Sequence, residues 1–374
     1  MFAWNWAAER YRCLFCRYNS GMRTTIIFTL FAIPLLSAAD EVIAWSPKNA
    51  AAYLDQRADW WIGWKSSARD HGTFCISCHT ALPYALGRPS LRTALSEHSP
   101  STGERQLLEN VTKRVRLWSE VQPFYADKNG DPKTAESRGT ESVLNALILT
   151  SYNPKLNDDT KLALQNMWGL QLKTGDKKGA WTWLNFHNEP WEADDSQYWG
   201  ATLAALAVGS APKDYQATVQ DNVNILSEYL QREQSSQSLL NRTVLLWAST
   251  KIPGLLKPEQ KKSIVDELLS KQQNDGGWSA SSLVLSTWKR RDSTALPSIS
   301  DGYGTGLVTF VLEQAGVPRA RLDRGLTWLS RNQEKDTGLW PATSLNKQRD
   351  PASDAGRFMS DAATAFAVMA LENN

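Results

Sequence analysis

The chain has 374 residues and can bury one large core or two small ones. Its 41 lysines and arginines nearly balance 39 aspartates and glutamates, for a formal net charge of +2. Without blocks of like charge or a nucleic-acid-binding motif, this composition excludes a nucleic-acid-binding protein. The 17 tryptophans indicate either extensive aromatic packing or an aromatic-lined cavity.

Residues 1–39 are predicted to be a leader. Residues 24–39 read TTIIFTLFAIPLLSAA, and Arg23 stands directly before them. A secretory signal peptide has the same order: a basic residue, then an apolar run too short to span a bilayer, then small residues. Because Met22 precedes Arg23, we expect residues 22–39 to be the signal and residues 1–21 an over-extended start. The mature protein is then periplasmic or otherwise exported; an uncleaved membrane anchor is the alternative.

Residues 40–130 are predicted to be a haem-attachment segment. Cys75 and Cys78 are separated by two residues and followed directly by His79. A c-type haem needs two thiols at this spacing to add to its vinyl groups, and a neighbouring histidine to ligate the iron. We therefore predict a covalent haem c with His79 as the proximal iron ligand. Haem of this kind is attached outside the bacterial inner membrane, where the predicted signal peptide would deliver the chain.

Other interpretations of the cysteine pair are weaker but not all excluded. A zinc site would need further cysteines or histidines at ligand spacing, and a redox Cys-x-x-Cys is expected within a βαβ unit. A structural disulfide between Cys75 and Cys78 stays open. The sixth iron ligand is also open among His98, His187 and Met359, and a water-bound or vacant position is equally allowed.

Residues 131–374 carry helical patterns at a spacing of about 50 residues. Short segments that are apolar almost all round predict buried helices, and amphipathic segments alternate with them. The apolar segments are 142–151, 198–208, 304–314 and 362–371, and the amphipathic ones are 161–173, 217–232, 258–273 and 320–333. A further amphipathic helix is predicted at 107–121. No stretch alternates with a period of two, so we predict an all-α protein.

The junctions between these helices share a signature. Residues 324–340 follow the pattern RGxxWLxxxQxxxxGxW, residues 273–278 read QNDGGW, and Gln171 with Trp181 marks a degenerate copy. The pattern resembles the QW repeat of the squalene and hopene cyclases and their relatives, the prenyltransferase-like α/α toroids, over residues 140–374. The resemblance implies an α/α toroid in which Trp278 and Trp340 tie neighbouring helices together.

The same resemblance suggests a catalytic motif. Glu192-Ala193-Asp194-Asp195-Ser196 is similar to the DxDDT motif with which hopene cyclases protonate an alkene. Carried over, Asp194 would be the proton donor, Asp195 its neighbour and Glu192 the first acid, because clustered carboxyls can retain a proton. The first aspartate and the threonine of the motif are replaced here. Acidic residues followed by serine are also ordinary at helix N-termini, where they act as caps.

Three functions follow from these features. The first is an exported haem protein for electron transfer or haem-dependent chemistry near a hydrophobic cavity. The second is a diverged terpenoid cyclase or isomerase that uses Asp194 as a general acid, and the third a non-catalytic toroid used as a binding scaffold. An enzyme would thus be a haem-dependent oxidoreductase or an isoprenoid cyclase. The expected partners are a redox protein or a hydrophobic isoprenoid-like ligand, with a possible membrane surface.

Overall fold

Thirteen α-helices and one short β-hairpin make up the part of the chain that the computed structural model describes, residues 45–128, 130–153 and 155–372. The all-α prediction is confirmed. The predicted signal peptide at 22–39 lies outside the described residues. The helices are α1 (Pro47–Gly63), α2 (Ala81–Ala94), α3 (Thr102–Arg116), α4 (Lys133–Tyr152), α5 (Asp158–Gly169), α6 (Ser196–Ser210), α7 (Lys213–Thr218), α8 (Gln220–Glu233), α9 (Leu239–Lys251), α10 (Pro258–Ser270), α11 (Gly302–Gln314), α12 (Asp323–Arg331) and α13 (Phe358–Leu371). The hairpin pairs β1 (Ala68–Arg69) with β2 (Thr73–Phe74).

The helix starts follow from local sequence. Ser101 caps α3 by accepting a hydrogen bond from the Glu104 amide, and the Glu104 carboxylate accepts one from the Ser101 amide. This reciprocal pair satisfies two amides that a helix start leaves without partners. At α1 the Ser46 hydroxyl accepts from the Asn49 amide, ahead of Pro47 at the first helical position. Each cap thus sets where its helix begins.

Most predicted helices lie where the patterns placed them, but α1, α2 and α9 were not predicted. The four apolar segments fall within α4, α6, α11 and α13, which are buried on nearly every side. Helix α2 escaped the pattern because it contains Gly87 and Pro89, residues that disfavour a helix interior.

The buried helices contact one another in a continuous order. Helix α2 packs against α4, α4 against α6, α6 against α9, α9 against α11 and α11 against α13, and α13 packs against α2. The remaining long helices lie on these: α1 on α2 and α13, α3 and α5 on α4, α8 on α6, α10 on α9, and α12 on α11 and α13. The predicted boundary at residue 130 falls between α3 and α4, which are in contact.

Three buried tryptophans repeat one contact. The indole N–H of Trp181 donates to the carbonyl of Met167 in α5 at 2.6 Å. Trp278 donates likewise to Leu268 in α10 and Trp340 to Leu329 in α12, at 2.7 and 2.8 Å. All three indoles are fully buried. Each ties the chain after an amphipathic helix back to the end of that helix.

A glycine just before each of these tryptophans touches the next amphipathic helix. A Cβ atom added at Gly179 would lie 2.2 Å from a backbone oxygen of α8, and one at Gly276 would lie 2.7 Å from one of α12. At Gly338 the added atom would lie 2.3 Å from the carbonyl oxygen of Asn49 in α1. Gln333 bonds both the amide and the carbonyl of Ser46. The last junction therefore packs on the first helix.

The space between α9, α11 and α13 is filled by aromatic side chains. Trp247 meets Phe310 edge to face at 5.0 Å between ring centroids, and Phe366 contacts Trp247, Phe310 and Tyr303. Offset and edge contacts of this kind stabilise beyond the area they bury. Within the described residues, no helix is both long and apolar enough to cross a membrane.

Candidate functional site

A small cavity of about 110 Å³ lies where three segments between helices meet. His79, at the start of α2, forms one wall. Segment 188–192, which precedes α6, and segment 344–359, which leads into α13, form the others. The cavity therefore brings His79 of the predicted haem-attachment motif together with the segments that precede α6 and α13.

Hydrogen bonds fix the cysteine motif at the start of α2. The Ser77 hydroxyl accepts from the amides of Thr80 and Ala81, which the first turn of the helix leaves without partners. The indole of Trp61 donates to the carbonyl of Cys75 at 2.8 Å. The motif is thus held at both ends, by its own helix and by α1.

Cys75 and Cys78 are free thiols, 5% and 2% exposed. Burial raises the pKa of Cys75 to about 12 and the pKa of Cys78 well above its usual range. Both thiols are therefore protonated at neutral pH, unlike the exposed thiolate that a redox-active Cys-x-x-Cys requires. The two cysteines form no disulfide in this structure.

His79 is held as a neutral imidazole with a defined tautomer. Burial, helped by the positive charges of Arg57 and Arg349, lowers its pKa to about 3. The Nδ1 atom lies 2.9 Å from the Thr80 hydroxyl, which itself donates to Asp361 at 2.6 Å. Because the hydroxyl has one proton and gives it to Asp361, Nδ1 must carry the proton of His79. The lone pair of the imidazole is then on Nε2, the atom left for a metal.

A buried network supports Thr80. The guanidinium of Arg57 reaches both carboxylate oxygens of Asp361, at 2.8 and 3.1 Å, and Tyr53 donates to one of them at 2.7 Å. Arg57 is 2% exposed and Asp361 is 1% exposed. Such networks fix the geometry of a metal-binding histidine in known metal sites. Neither Thr80 nor Asp361 could be recognised from the sequence, since their partners are distant along the chain.

Aromatic rings enclose the His79 side chain. Phe358 stacks on it at 3.7 Å between ring centroids, and Trp61 meets it edge to face at 5.0 Å. Trp191 lies 6.3 Å away. Trp61, which also contacts Trp60 and Trp64, therefore packs α1 against the histidine of the motif.

The candidates for the sixth ligand are placed differently. Met359 is 4% exposed and lines the same cavity as His79. His187 lies on the surface, where its Nδ1 contacts Asp194 at 2.7 Å, and His98 is exposed beyond the end of α2. Only Met359 of the three lines the His79 cavity. Among the described residues, no group of three or more His, Cys, Asp or Glu side chains is arranged to hold a metal ion.

The acidic motif is split between surface and interior. Asp194 is exposed, and hydrogen bonds from Asn185 and His187 lower its pKa. Asp195 precedes α6 without a capping bond from its side chain; instead it accepts from Asn241 at 3.0 Å. Burial raises the pKa of Asp195 and brings that of Glu192 to about 7. Asp194 is thus a carboxylate at neutral pH, and Glu192 is the member that retains a proton.

Glu189 is a further protonated carboxyl that the sequence did not single out. It is 5% exposed and lines the His79 cavity beside Glu192. Burial raises its pKa to about 8, and the charges of Asp195 and Asp194 add to the effect. The only indication in the sequence was its position in the irregular segment before α6. The cavity therefore contains two carboxyls that titrate near neutral pH.

The sequence matches no known protein family, and no curated protein is significantly similar to it.

Glu189 is expected to make stability fall as pH rises. Its pKa in the folded protein, about 8, exceeds the ordinary value of glutamic acid, so the folded state binds the proton more tightly. The stabilisation that this proton gives the folded state is complete below the ordinary pKa of glutamic acid, and it is lost as pH rises through 8. Glu189→Gln cannot ionise and should retain more stability at pH 9, on the order of 1–3 kcal/mol.

Urea unfolding at pH 5, 7 and 9 measures this effect. The substitution spares the contacts of residue 189 with Asn346, which use its backbone. Glu120→Gln, at an exposed position, is the control and should follow the wild-type pH dependence. Equal slopes for Glu189→Gln and wild type would contradict the prediction.

Proposed function

We propose that the protein is an exported c-type haem protein built on an α/α toroid. In this arrangement α2, α4, α6, α9, α11 and α13 are the inner ring and the amphipathic helices surround it. The return of the packing order from α13 to α2 supports a closed ring. So does the contact of Gly338 with α1, which is equivalent to the contacts of Gly179 and Gly276 with α8 and α12.

The position of His79 carries the haem proposal. It directly follows two buried free thiols, its Nδ1 is engaged by Thr80, and its ring stands in a cavity that Met359 also lines. Two thiols, an imidazole with a free Nε2 and a thioether are a donor set suited to a c-type haem. In the proposed site Cys75 and Cys78 would hold the porphyrin, and His79 and Met359 would ligate the iron.

The cavity at His79 is too small for a porphyrin, since about 110 Å³ accommodates only a few water molecules. A cleft of about 990 Å³, lined by Arg69, Tyr125 and Lys133 among others, borders the start of segment 186–192. Phe186 lines this cleft, and residues 188–192 line the cavity. The proposal therefore includes a displacement of segment 186–192 when the haem is attached.

Haem and the protein chain would supply different parts of the chemistry of the site. Haem, when bound, supplies a one-electron redox centre. The chain orients the iron ligand through Thr80, holds Thr80 through Asp361 and Arg57, and surrounds the ligand with Phe358 and Trp61. Hydrogen bonds and an apolar shell around the iron ligand are features that tune the potential of a haem.

Covalent haem attachment tests the proposal. The form starting at Met22 would be produced with the c-type maturation machinery, purified from the periplasm and denatured before its spectra are taken. Haem should remain with the polypeptide and be lost in Cys75→Ala/Cys78→Ala. In the full chain, produced alongside, Cys13→Ala/Cys16→Ala removes a cysteine pair of equal spacing that lacks the histidine, and it should keep as much haem as the unchanged full chain. A colourless wild-type protein would overturn the proposal.

Met359 can be tested in the same material. Met359→Leu keeps an apolar side chain of similar size but removes the sulfur. We expect it to abolish the long-wavelength absorption band typical of methionine-ligated ferric haem, while the haem stays attached. His98→Ala and His187→Ala should leave the spectrum unchanged. A band that persists in Met359→Leu would assign the sixth position to another ligand.

The scaffold hypothesis is a second candidate, because aromatic side chains fill the space between α9, α11 and α13. A non-catalytic protein would carry a haem that external reductants and oxidants do not change. The terpenoid-cyclase hypothesis remains a prediction without a supporting observation of this kind.

A further inference from the structure

A second and larger cavity, of about 450 Å³, lies between segment 280–301 and segment 334–360. This volume is within the range of sites that bind small molecules. Much of its lining is apolar, including Leu339 and Leu345, and Ile299 lines it while being 70% exposed. Ile299 therefore offers an apolar surface at the open side of the cavity.

Two arginines of the same cavity have no partner. Arg349 and Arg357 are half-buried, and neither guanidinium makes a hydrogen bond or ion pair with any described residue. The buried arginines of the described residues all have partners: Arg57, Arg88 and Arg114 bind carboxylates, and Arg290 bonds the carbonyls of Ser344 and Ala295. A guanidinium has five donor protons, and those of Arg349 and Arg357 are not used by the described side chains. The pair is therefore suited to an anion from outside the chain.

The acidic side chains that line the cavity form no ion pair with the two arginines. Asp301 accepts hydrogen bonds from the backbone amides of Ala280, Tyr303 and Gly304, which compensate its charge at the start of α11. Glu334 is exposed, and its carboxylate accepts from Thr337. Neither carboxylate pairs with Arg349 or Arg357.

We propose that this cavity binds a small amphipathic anion, with a carboxylate or phosphate head on Arg349 and Arg357. The apolar tail would lie along Leu339, Leu345 and Ile299 and would shield the isoleucine from water. Arg349 also lines the His79 cavity, so the head group would lie at the wall that the two cavities share. The proposal does not depend on whether haem is attached.

Titration calorimetry on the full protein, with decanoate as the probe, tests the proposal. Decanol has the same tail without the charge, acetate has the charge without the tail, and decyl phosphate replaces one head group with the other. We expect measurable binding of decanoate or decyl phosphate, and binding at least tenfold weaker for decanol and for acetate. The tighter of the two amphipathic anions identifies the head group.

Substitutions locate the binding site. Arg349→Gln and Arg357→Gln should each weaken binding of the tighter anion about tenfold, since each removes a charge-assisted hydrogen bond. Arg321→Gln, an exposed arginine outside the cavity, is the matched control and should bind as wild type. Ile299→Ser, at an exposed position that folding does not need, should weaken both amphipathic anions but not acetate. Decanol binding as tightly as decanoate, unchanged affinity in both cavity arginine variants, or no binding of either amphipathic anion would overturn the proposal.

Discussion

Gly338→Ala is expected to destabilise the protein by about 3–5 kcal/mol, far more than the same substitution at Gly254. Both glycines have a positive φ, 80° at Gly338 and 81° at Gly254, so alanine is strained equally at the two positions. At Gly254 an added methyl group meets nothing within 4 Å. At Gly338 it would lie 2.3 Å from the carbonyl oxygen of Asn49, so that α1 or the junction must move.

The difference between the two variants isolates the contact between the last junction and the first helix. Gly254→Ala should cost about 1–2 kcal/mol through backbone strain alone. Urea denaturation of both variants gives the two free energies of unfolding. If they were equal, the junction at Gly338 would not pack on α1 in solution, and the proposed closure of the ring would lose its main support. Gly276→Ala should resemble Gly338→Ala, because it meets α12 in the same way.

The sequence predicted the all-α class because the patterns that define it are local. The apolar segments within α6 and α13 and the Gly-x-Trp junctions can each be recognised without knowledge of their partners. Helix α2 could not be recognised in this way, since Gly87 and Pro89 contradict a helix locally. Gly87 lies so close to α13 that an added Cβ would be 3.0 Å from Ala365, so a contact distant in sequence explains the residue.

The candidate site was predictable only where its chemistry is contiguous in the sequence. Cys75, Cys78 and His79 form one motif of five residues, and spacing alone suggests their use. Glu189 and Asp361 differ from exposed carboxyls because burial raises their pKa, and their burial depends on segments distant in the sequence. The acidic motif shows the reverse case: Asp194 had the better sequence argument, yet it lies on the surface, and its neighbour Glu192 has the raised pKa.

Glu141→Leu is expected to cost about 3–5 kcal/mol, because it leaves the guanidinium of Arg114 buried without its main partner. The two side chains are fully buried, and Arg114 Nε lies 2.5 Å from Glu141 Oε1. Burial raises the pKa of Glu141, and Arg114 opposes that shift. The pair joins α3 to α4 across the predicted boundary at residue 130, so its loss should weaken the connection between the two segments.

The double variant Arg114→Met/Glu141→Leu removes both buried charges. Comparing it with Glu141→Leu distinguishes the attraction within the ion pair from the cost of burying one charge without a partner. Replacing a buried ion pair by apolar side chains is often nearly neutral, so the double variant should be more stable than Glu141→Leu alone. Asp159→Ala, which breaks the exposed pair with Arg116, is the control and should cost less than about 1 kcal/mol. Additive losses in the double variant would show that Arg114 is stabilised by Thr73 and Gln122 rather than by Glu141.

A single unfolding transition in all variants would indicate that α3 and α4 unfold together, whereas two transitions in Glu141→Leu would make residues 45–130 a separable unit held by this ion pair.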